Sequence, residues 1–260
     1  MIQIENIEKS KIETTPYEWC FIDDLFSNED KRHLSSTYPM DHFKSVNGYD
    51  GEKSYVYECR NLIHMGAGMA SFSDDLNTVW VKLAQDLLSD QYRLALSKLC
   101  QKDLSLVPME VNIFHYSPGT WMGPHVDLKD KIVTHVIYFN QTWDDSQGGC
   151  LSILNSNDPG DLFRRISPIT GHSVVLVRSN HSWHAVEKVK QNIDQSRRSM
   201  TVTFYHPGSV STMWPPNDTS ELHMVKSKKS EGGFFKRIKN KFYFDTPFKP
   251  LLNLEPTGFT

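Results

Sequence analysis

Residues 121–143 read WMGPHVDLKDKIVTHVIYFNQTW. The second half of this stretch, Ile132–Asn140, is a run of β-branched and aromatic residues between turn-forming neighbours, which predicts a strand. The first half holds Pro124-His125-Val126-Asp127. On a strand, residues i and i+2 point to the same side. His125 and Asp127 would then present one imidazole nitrogen and one carboxylate oxygen to a common point.

Working outward, Val111–Tyr116, Cys150–Leu154, Ser173–Arg178 and Met200–His206 are further short β-rich runs, separated by Gly, Pro, Asn and Asp. Many short strands with such punctuation predict a sandwich or a barrel. A second histidine, His184, follows Asp127 by 57 residues and abuts another strand end. Two histidines and one carboxylate on one face of an octahedral metal leave the opposite face open, the arrangement of non-heme Fe(II) oxygenases. Arg197 and Arg198 enter the last strand. A dicarboxylate needs a bidentate cation at its far end, and arginine supplies it best. Strand parity puts Arg197, Ser199, Thr201 and Thr203 on one side, so with Thr201 in the pocket Arg197 is the anchor and Arg198 faces away. The choice between the two stays open at this point. By the same parity Asn112 and Phe114 share the face of Tyr116, and Asn112 is a candidate contact for cosubstrate or substrate.

The N-terminal part has a different texture. Trp19–Ile22 reads as extended, and Ser27 with Asp30 reads as a capped helix start running to about Tyr38. Residues 41–71 read as loop with short strands. Apolar residues from Leu76 to Leu99 recur at helical spacing and predict one long or two shorter helices ending near Lys102. The expected organisation is a helical support region (1–107), an all-β catalytic core (108–215) and a basic, aromatic extension (216–260), together one structural domain of α+β class. Gly232–Phe244 (GGFFKRIKNKFYF) interleaves bases with aromatics; packing of its aromatics on the domain is expected, with a membrane-surface, nucleic-acid or dimer contact as the alternatives.

With 38% hydrophobic residues in 260, the chain can bury a sizeable core, and disorder is excluded. A formal charge of −3 argues against generic nucleic-acid binding, and no apolar run is long enough to span a membrane. Cys20, Cys59, Cys100 and Cys150 are widely spaced. Neither a disulfide framework nor a zinc-thiolate site is expected, and with a polar N-terminus the expected location is the cytoplasm.

The blocks Tyr116-Ser117-Pro118-Gly119, His125-Val126-Asp127, IVTHVIYFNQTW (132–143), Gly148-Gly149-Cys150-Leu151, His184-Ala185-Val186 and RRSMTVTFY (197–205) together resemble the iron(II)/2-oxoglutarate-dependent oxygenases. Within that family they are similar to the prolyl-hydroxylase-like branch. The resemblance spans roughly Val111–Tyr205. It implies a double-stranded β-helix (jelly roll) with supporting helices and with iron in its mouth. It further implies His125, Asp127 and His184 as Fe(II) ligands, Arg197 as the grip on the distal carboxylate of 2-oxoglutarate, and Thr201, Tyr116 and Leu151 as pocket-lining residues. Ile137 falls where close relatives often carry a second cosubstrate-binding Tyr. The implied reaction consumes O2 and 2-oxoglutarate, releases succinate and CO2, and hydroxylates an unactivated C–H bond. A carboxylate at Asp127 fills the position that halogenating relatives keep small, so halogenation is not expected; desaturation and cyclisation stay open.

The substrate is not written in these motifs. A small metabolite is expected, with a peptidyl-prolyl or other protein hydroxylase as the alternative, and a non-enzymatic jelly-roll binding protein as a third reading. Trp121, Trp183 and His181 flank the ligand segments and are candidate substrate contacts. His135 reads as a packed strand residue, and His115 as facing helices or solvent.

Overall fold

In the computed structural model, residues 1–49 and 54–215 are described. The chain divides into two units, Met1–Ser227 and Lys228–Thr260. The expected basic and aromatic extension (216–260) lies outside the described residues.

The strands are β1 (Trp19–Ile22), β2 (Lys44–Tyr49), β3 (Ser54–Ile63), β4 (Met109–Tyr116), β5 (Trp121–His125), β6 (Lys131–Tyr138), β7 (Leu151–Leu154), β8 (Leu162–Ile166), β9 (Ser173–Val177), β10 (His184–Val186) and β11 (Arg197–Tyr205). They form one curled sheet in the order β1-β9-β6-β11-β4-β3-β5-β10-β7-β8, with β2 paired to β3. The named pairs are antiparallel, as a jelly roll requires. β3 makes the bend: Glu58–Ile63 pair with β4, and Tyr55 and Val56 pair with β5.

Among the described residues, four α-helices accompany the sheet: α1 (Ile4–Lys9), α2 (Asn28–Ser36), α3 (Thr78–Leu88) and α4 (Asp90–Cys100). Ser27 caps α2 by accepting from the Asp30 amide at 3.2 Å. The apolar periodicity from Leu76 to Leu99 is broken at Ser89, which is extended, ends α3, and caps α4 by accepting from the Tyr92 amide.

Period-two alternation gives the sheet two dry faces. Met109, Val111 and Ile113 of β4, Val133 and Ile137 of β6, and Met200, Val202 and Phe204 of β11 pack against Trp80, Leu83, Tyr92 and Leu96 of the helices. The intervening residues Phe114, Tyr116, Val136 and Tyr138 point into the barrel with Leu151, Ile153 and Val186. One strand set therefore carries stability on one face and chemistry on the other.

Two features depart from the sequence reading. Residues 41–71 contain the long antiparallel pair β2–β3, whose second strand is integral to the sheet. Residues 1–107 are thus not only helical support: β1 pairs with β9, and β3 joins the two halves of the barrel. The six-residue α1 has too short a pattern to stand out; it is held by burial of Ile7 and by packing on α4.

His135 sits on the helix face, as its place in the strand suggested. The Tyr92 hydroxyl lies 2.8 Å from its Nδ1, and Nε2 has no partner among the described residues. Burial pushes this imidazole down to about 3, so it stays neutral in the folded protein. Below an unfolded value of about 6.5 the unfolded chain takes up a proton that the folded chain refuses. Stability should therefore fall by up to about 1.4 kcal/mol per pH unit as pH drops from ~6.5 toward 3. His135→Phe should remove one proton from that slope, read as the change in urea midpoint between pH 7 and pH 5 for the variant and the wild type. An unchanged slope would refute the assignment.

Candidate metal centre and cosubstrate pocket

β5 ends on His125, β10 begins on His184, and the two residues are direct cross-strand partners. Their rings lie 4.3 Å apart between centroids. Asp127 stands two residues past the end of β5, in the connection to β6, and not on the strand itself. One ligand atom from each of His125, Asp127 and His184 lies within 4.8 Å of the others, and all three residues are buried.

Backbone carbonyls fix the two imidazoles. His125 Nδ1 lies 3.0 Å from the Gly123 carbonyl, and His184 Nδ1 lies 2.9 Å from the Ser182 carbonyl. A carbonyl only accepts, so each Nδ1 is the protonated nitrogen and each Nε2 keeps its lone pair. This is the outer-shell pattern that orients metal-binding histidines. Two imidazole nitrogens and one carboxylate oxygen, converging in a buried pocket, are a donor set that suits Fe(II).

Asp127 is held from two sides. Lys131 Nζ donates to Oδ1 at 2.7 Å, and Thr134 Oγ1 donates to Oδ2 at 2.8 Å. Burial opposes its ionisation, but Lys131, His184 and His125 outweigh that and hold the carboxyl well below the usual carboxylate range. Thr134→Val keeps the shape and removes one donor. It should weaken Fe(II) binding by about 10- to 100-fold without unfolding the chain, measurable by anaerobic titration calorimetry.

The cosubstrate candidates line one wall. Arg197 is 1% exposed; its Nε donates to the Gly149 carbonyl at 2.7 Å and its Nη1 to Ser199 Oγ at 2.6 Å. Its guanidinium lies over the Tyr116 ring, 4.8 Å from the centroid. Arg198 faces the other way, donating to the Ser35 carbonyl and covering Tyr38. Parity thus separates the two arginines as expected. Gly149 can accept this bond because it has no side chain; a Cβ there would come within 2.9 Å of Trp143, and its φ is +73°.

Tyr116, Asn112, Leu151 and Thr201 all line the same cavity of about 310 Å³ as His125, Asp127, His184 and Arg197. The position of Ile137 is a correction. Ile137 packs on the helix side, and Tyr138 faces the barrel behind Arg197, 5.4 Å from ring centroid to guanidinium. The strand is regular, and its alternation gives Ile137 to the helix side and Tyr138 to the barrel side. The Tyr138 hydroxyl is buried with no hydrogen-bond partner among the described residues.

Residues 111–206 match the family model described as the 2OG-Fe(II) oxygenase superfamily. The match spans the segment that carries His125, Asp127, His184 and Arg197. That superfamily uses Fe(II), 2-oxoglutarate and O2, and the His-Asp-His donor set of this chain fits such a metal. A curated relative, prolyl 3-hydroxylase sudestada1 of Drosophila melanogaster, is 27% identical over 151 residues, which cover 54% of this chain and 26% of that protein. The chain thus spans about a quarter of the length of the curated relative it matches. Among solved structures, a prolyl hydroxylase of Trichoplax adhaerens, in complex with a hypoxia-inducible-factor oxygen degradation domain peptide, aligns with a TM-score of 0.52 and 15% identity over 78% of this chain and 88% of that one. A prolyl 4-hydroxylase of Phytophthora capsici aligns with 0.51 and 16% over 80% and 66%. At such identities these two show the fold alone.

The mouth of the cavity is built from elements that the sequence pattern does not assign to it. Val46 of β2, Tyr55 and Tyr57 of β3, and Thr212 and Met213 beyond β11 line the same cavity. Trp214 locks that last segment down: its Nε1 donates to Asn112 Oδ1 at 2.7 Å, and Lys44 Nζ sits 3.7 Å over its ring. The three substrate candidates lie elsewhere. Trp121 borders a separate depression outside β5 and β10 and donates to Ser54 Oγ. Trp183 and His181 do not line the cavity, and His181 is exposed. Each sits beside a ligand segment in sequence but on the outward phase of the chain. Ser199 and Thr203 line the cavity on the face that strand parity gives them, with Arg197 and Thr201. Glu110, Lys131, Thr134 and Tyr205 line it too and were not assigned to it. Parity with Asn112 and Thr201 was the available signal for Glu110 and Tyr205.

Proposed function

We propose that the protein is an Fe(II)- and 2-oxoglutarate-dependent dioxygenase that hydroxylates an unactivated C–H bond of a small metabolite. The observation that carries the reaction class is the buried His125–Asp127–His184 cluster with Arg197 in the same cavity. Bound Fe(II) with O2 would supply the oxidising power, and 2-oxoglutarate, as the co-reductant, would take up one oxygen atom and leave as succinate and CO2. The chain's own residues bind and orient. His125, His184 and Asp127 would hold the metal, with Lys131 and Thr134 fixing the carboxylate. Arg197 would grip the distal carboxylate of 2-oxoglutarate, and the apolar wall of Leu151, Val136 and Val186 would keep water from the reacting carbon.

The small-molecule reading is supported by the size and walls of the cavity. A volume of about 310 Å³ is at the lower end for ligand sites. It must hold the cosubstrate as well, and the β2–β3 pair and residues 212–214 stand around its mouth. The second reading, hydroxylation of a prolyl peptide, is favoured by the names of the relatives. The test is mass spectrometry for a product heavier by one oxygen atom, after incubation of the Fe(II)-loaded full chain with 2-oxoglutarate and either a metabolite panel or proline-containing peptides. Oxidation confined to peptides would overturn the small-molecule reading, and absence of any 2-oxoglutarate turnover would overturn the reaction class.

A further inference from the structure

Glu110 is an acid inside the barrel that the chemistry above does not use. It is 1% exposed, lies on β4 in phase with Asn112 and Tyr116, and lines the cavity. Its Oε2 accepts from Asn112 Nδ2 at 3.0 Å and from the Tyr205 hydroxyl at 3.4 Å. Both donors are neutral. Its Oε1 is buried and has no hydrogen-bond partner among the described residues. A buried carboxylate with one oxygen tethered and the other unmet is costly unless a ligand completes it.

Its position is on the metal side of the cavity. Glu110 pairs with Thr203 across β4–β11, and Thr203 pairs with Thr134 across β11–β6. Thr134 is the residue that holds Asp127. Arg197 is six residues back along β11, about 20 Å away along the strand. The cosubstrate anchor and Glu110 thus occupy opposite ends of the pocket.

Charge accounting sharpens the point. Apart from the two histidines and the tyrosines, the ionisable residues lining the cavity are Glu110, Asp127, Lys131 and Arg197. Lys131 pairs with Asp127. Arg197 would be matched by the cosubstrate carboxylate. Among the described residues lining the cavity, Glu110 is left with no counter-charge. The phenol of Tyr205 reports the same field: burial, then Glu110, Asp127 and Asp130, push it up.

We propose that Glu110 is a specificity-determining residue that receives a cationic nitrogen of the substrate, so that the molecule oxidised is a small amine or guanidine compound. This rests on the small-molecule oxygenase reading and names its substrate class. Asn112, itself held by Asn61 and Trp214, keeps Oε2 in place so that Oε1 is presented in one direction.

The test is anaerobic calorimetry on the full chain loaded with Fe(II) and 2-oxoglutarate, using two matched pairs: L-arginine against L-citrulline, and L-lysine against L-norleucine. The wild type should bind the basic member of at least one pair at least about tenfold more tightly than its neutral partner. Glu110→Gln should reduce that ratio to near one while 2-oxoglutarate still binds, a change that a general folding defect would not produce. Capped tripeptides carrying the same residues form a second arm. If only these discriminate by charge, the role of Glu110 stands and the small-molecule reading falls. Equal binding of both members of each pair, no binding of any probe, or a ratio untouched in Glu110→Gln would overturn the proposal. Loss of 2-oxoglutarate binding in the wild type would instead overturn the underlying reading.

Discussion

Asp127→Ala should abolish Fe(II)- and 2-oxoglutarate-dependent succinate release. The carboxylate is the sole anionic member of the buried cluster, and its two oxygens are aimed by Lys131 and Thr134. Altering an outer-shell partner of a metal ligand typically costs 10- to 100-fold in metal affinity, so removing the ligand itself should cost at least about a hundredfold. The substitution also strands Lys131 beside a buried site. Metal binding, succinate release and the melting temperature should therefore be measured together. Succinate release above about a tenth of the wild-type level, in a variant that binds Fe(II) normally, would remove Asp127 from the ligand set.

Arg197→Ala should raise the KM for 2-oxoglutarate by about 30-fold or more while leaving Fe(II) affinity in place. Truncating one partner of a buried, hydrogen-bonded charge pair costs about 2–5 kcal/mol. Arg197→Lys should recover little, because an ammonium cannot keep the bonds to Gly149 and Ser199 and still offer a planar fork to a carboxylate. Arg198→Ala is the control. That side chain reaches the Ser35 carbonyl and the Tyr38 ring on the helix side, so its loss should move stability and leave the 2-oxoglutarate KM within about twofold. A reversed pattern between the two arginines would show that β11 is in the other phase.

Several parts of the site that were legible in sequence share one property: their position follows from strand parity around a motif with recognisable chemistry. Arg197, Asn112 and Thr201 are of this kind, whereas His125, His184 and Tyr116 stand out through the resemblance of the blocks around them. Ile137 and Tyr138 show the limit of a likeness taken residue by residue: the resemblance pointed to Ile137, and one step of the alternation separates it from the barrel face, which Tyr138 holds. Proximity in sequence was the weaker guide. Trp183 precedes a ligand and yet does not line the cavity, while Val46 and Tyr55, about 80 and 70 residues before His125, line it through β2 and β3. Those contacts are non-local, and the glycines at 48 and 51 interrupt the alternation that would have revealed the strands. Asp127 was placed correctly for an incomplete reason: it lies beyond the strand, and Lys131 and Thr134 turn it inward.

The Tyr38 hydroxyl reaches through the helix layer to the carbonyl oxygens of Phe114 and Ser199, at 2.6 and 3.1 Å, directly behind two strands that wall the pocket. Together with β1 and β3 it makes the N-terminal third part of the machine. A fragment trimmed to residues 108–215 would keep every proposed ligand and anchor, yet it would lose two sheet partners and bare the apolar back of β4, β6 and β11. The catalytic motif is therefore not portable: grafting or shuffling schemes that treat the ligand-bearing segment as a cassette must carry the whole of residues 1–215 with it.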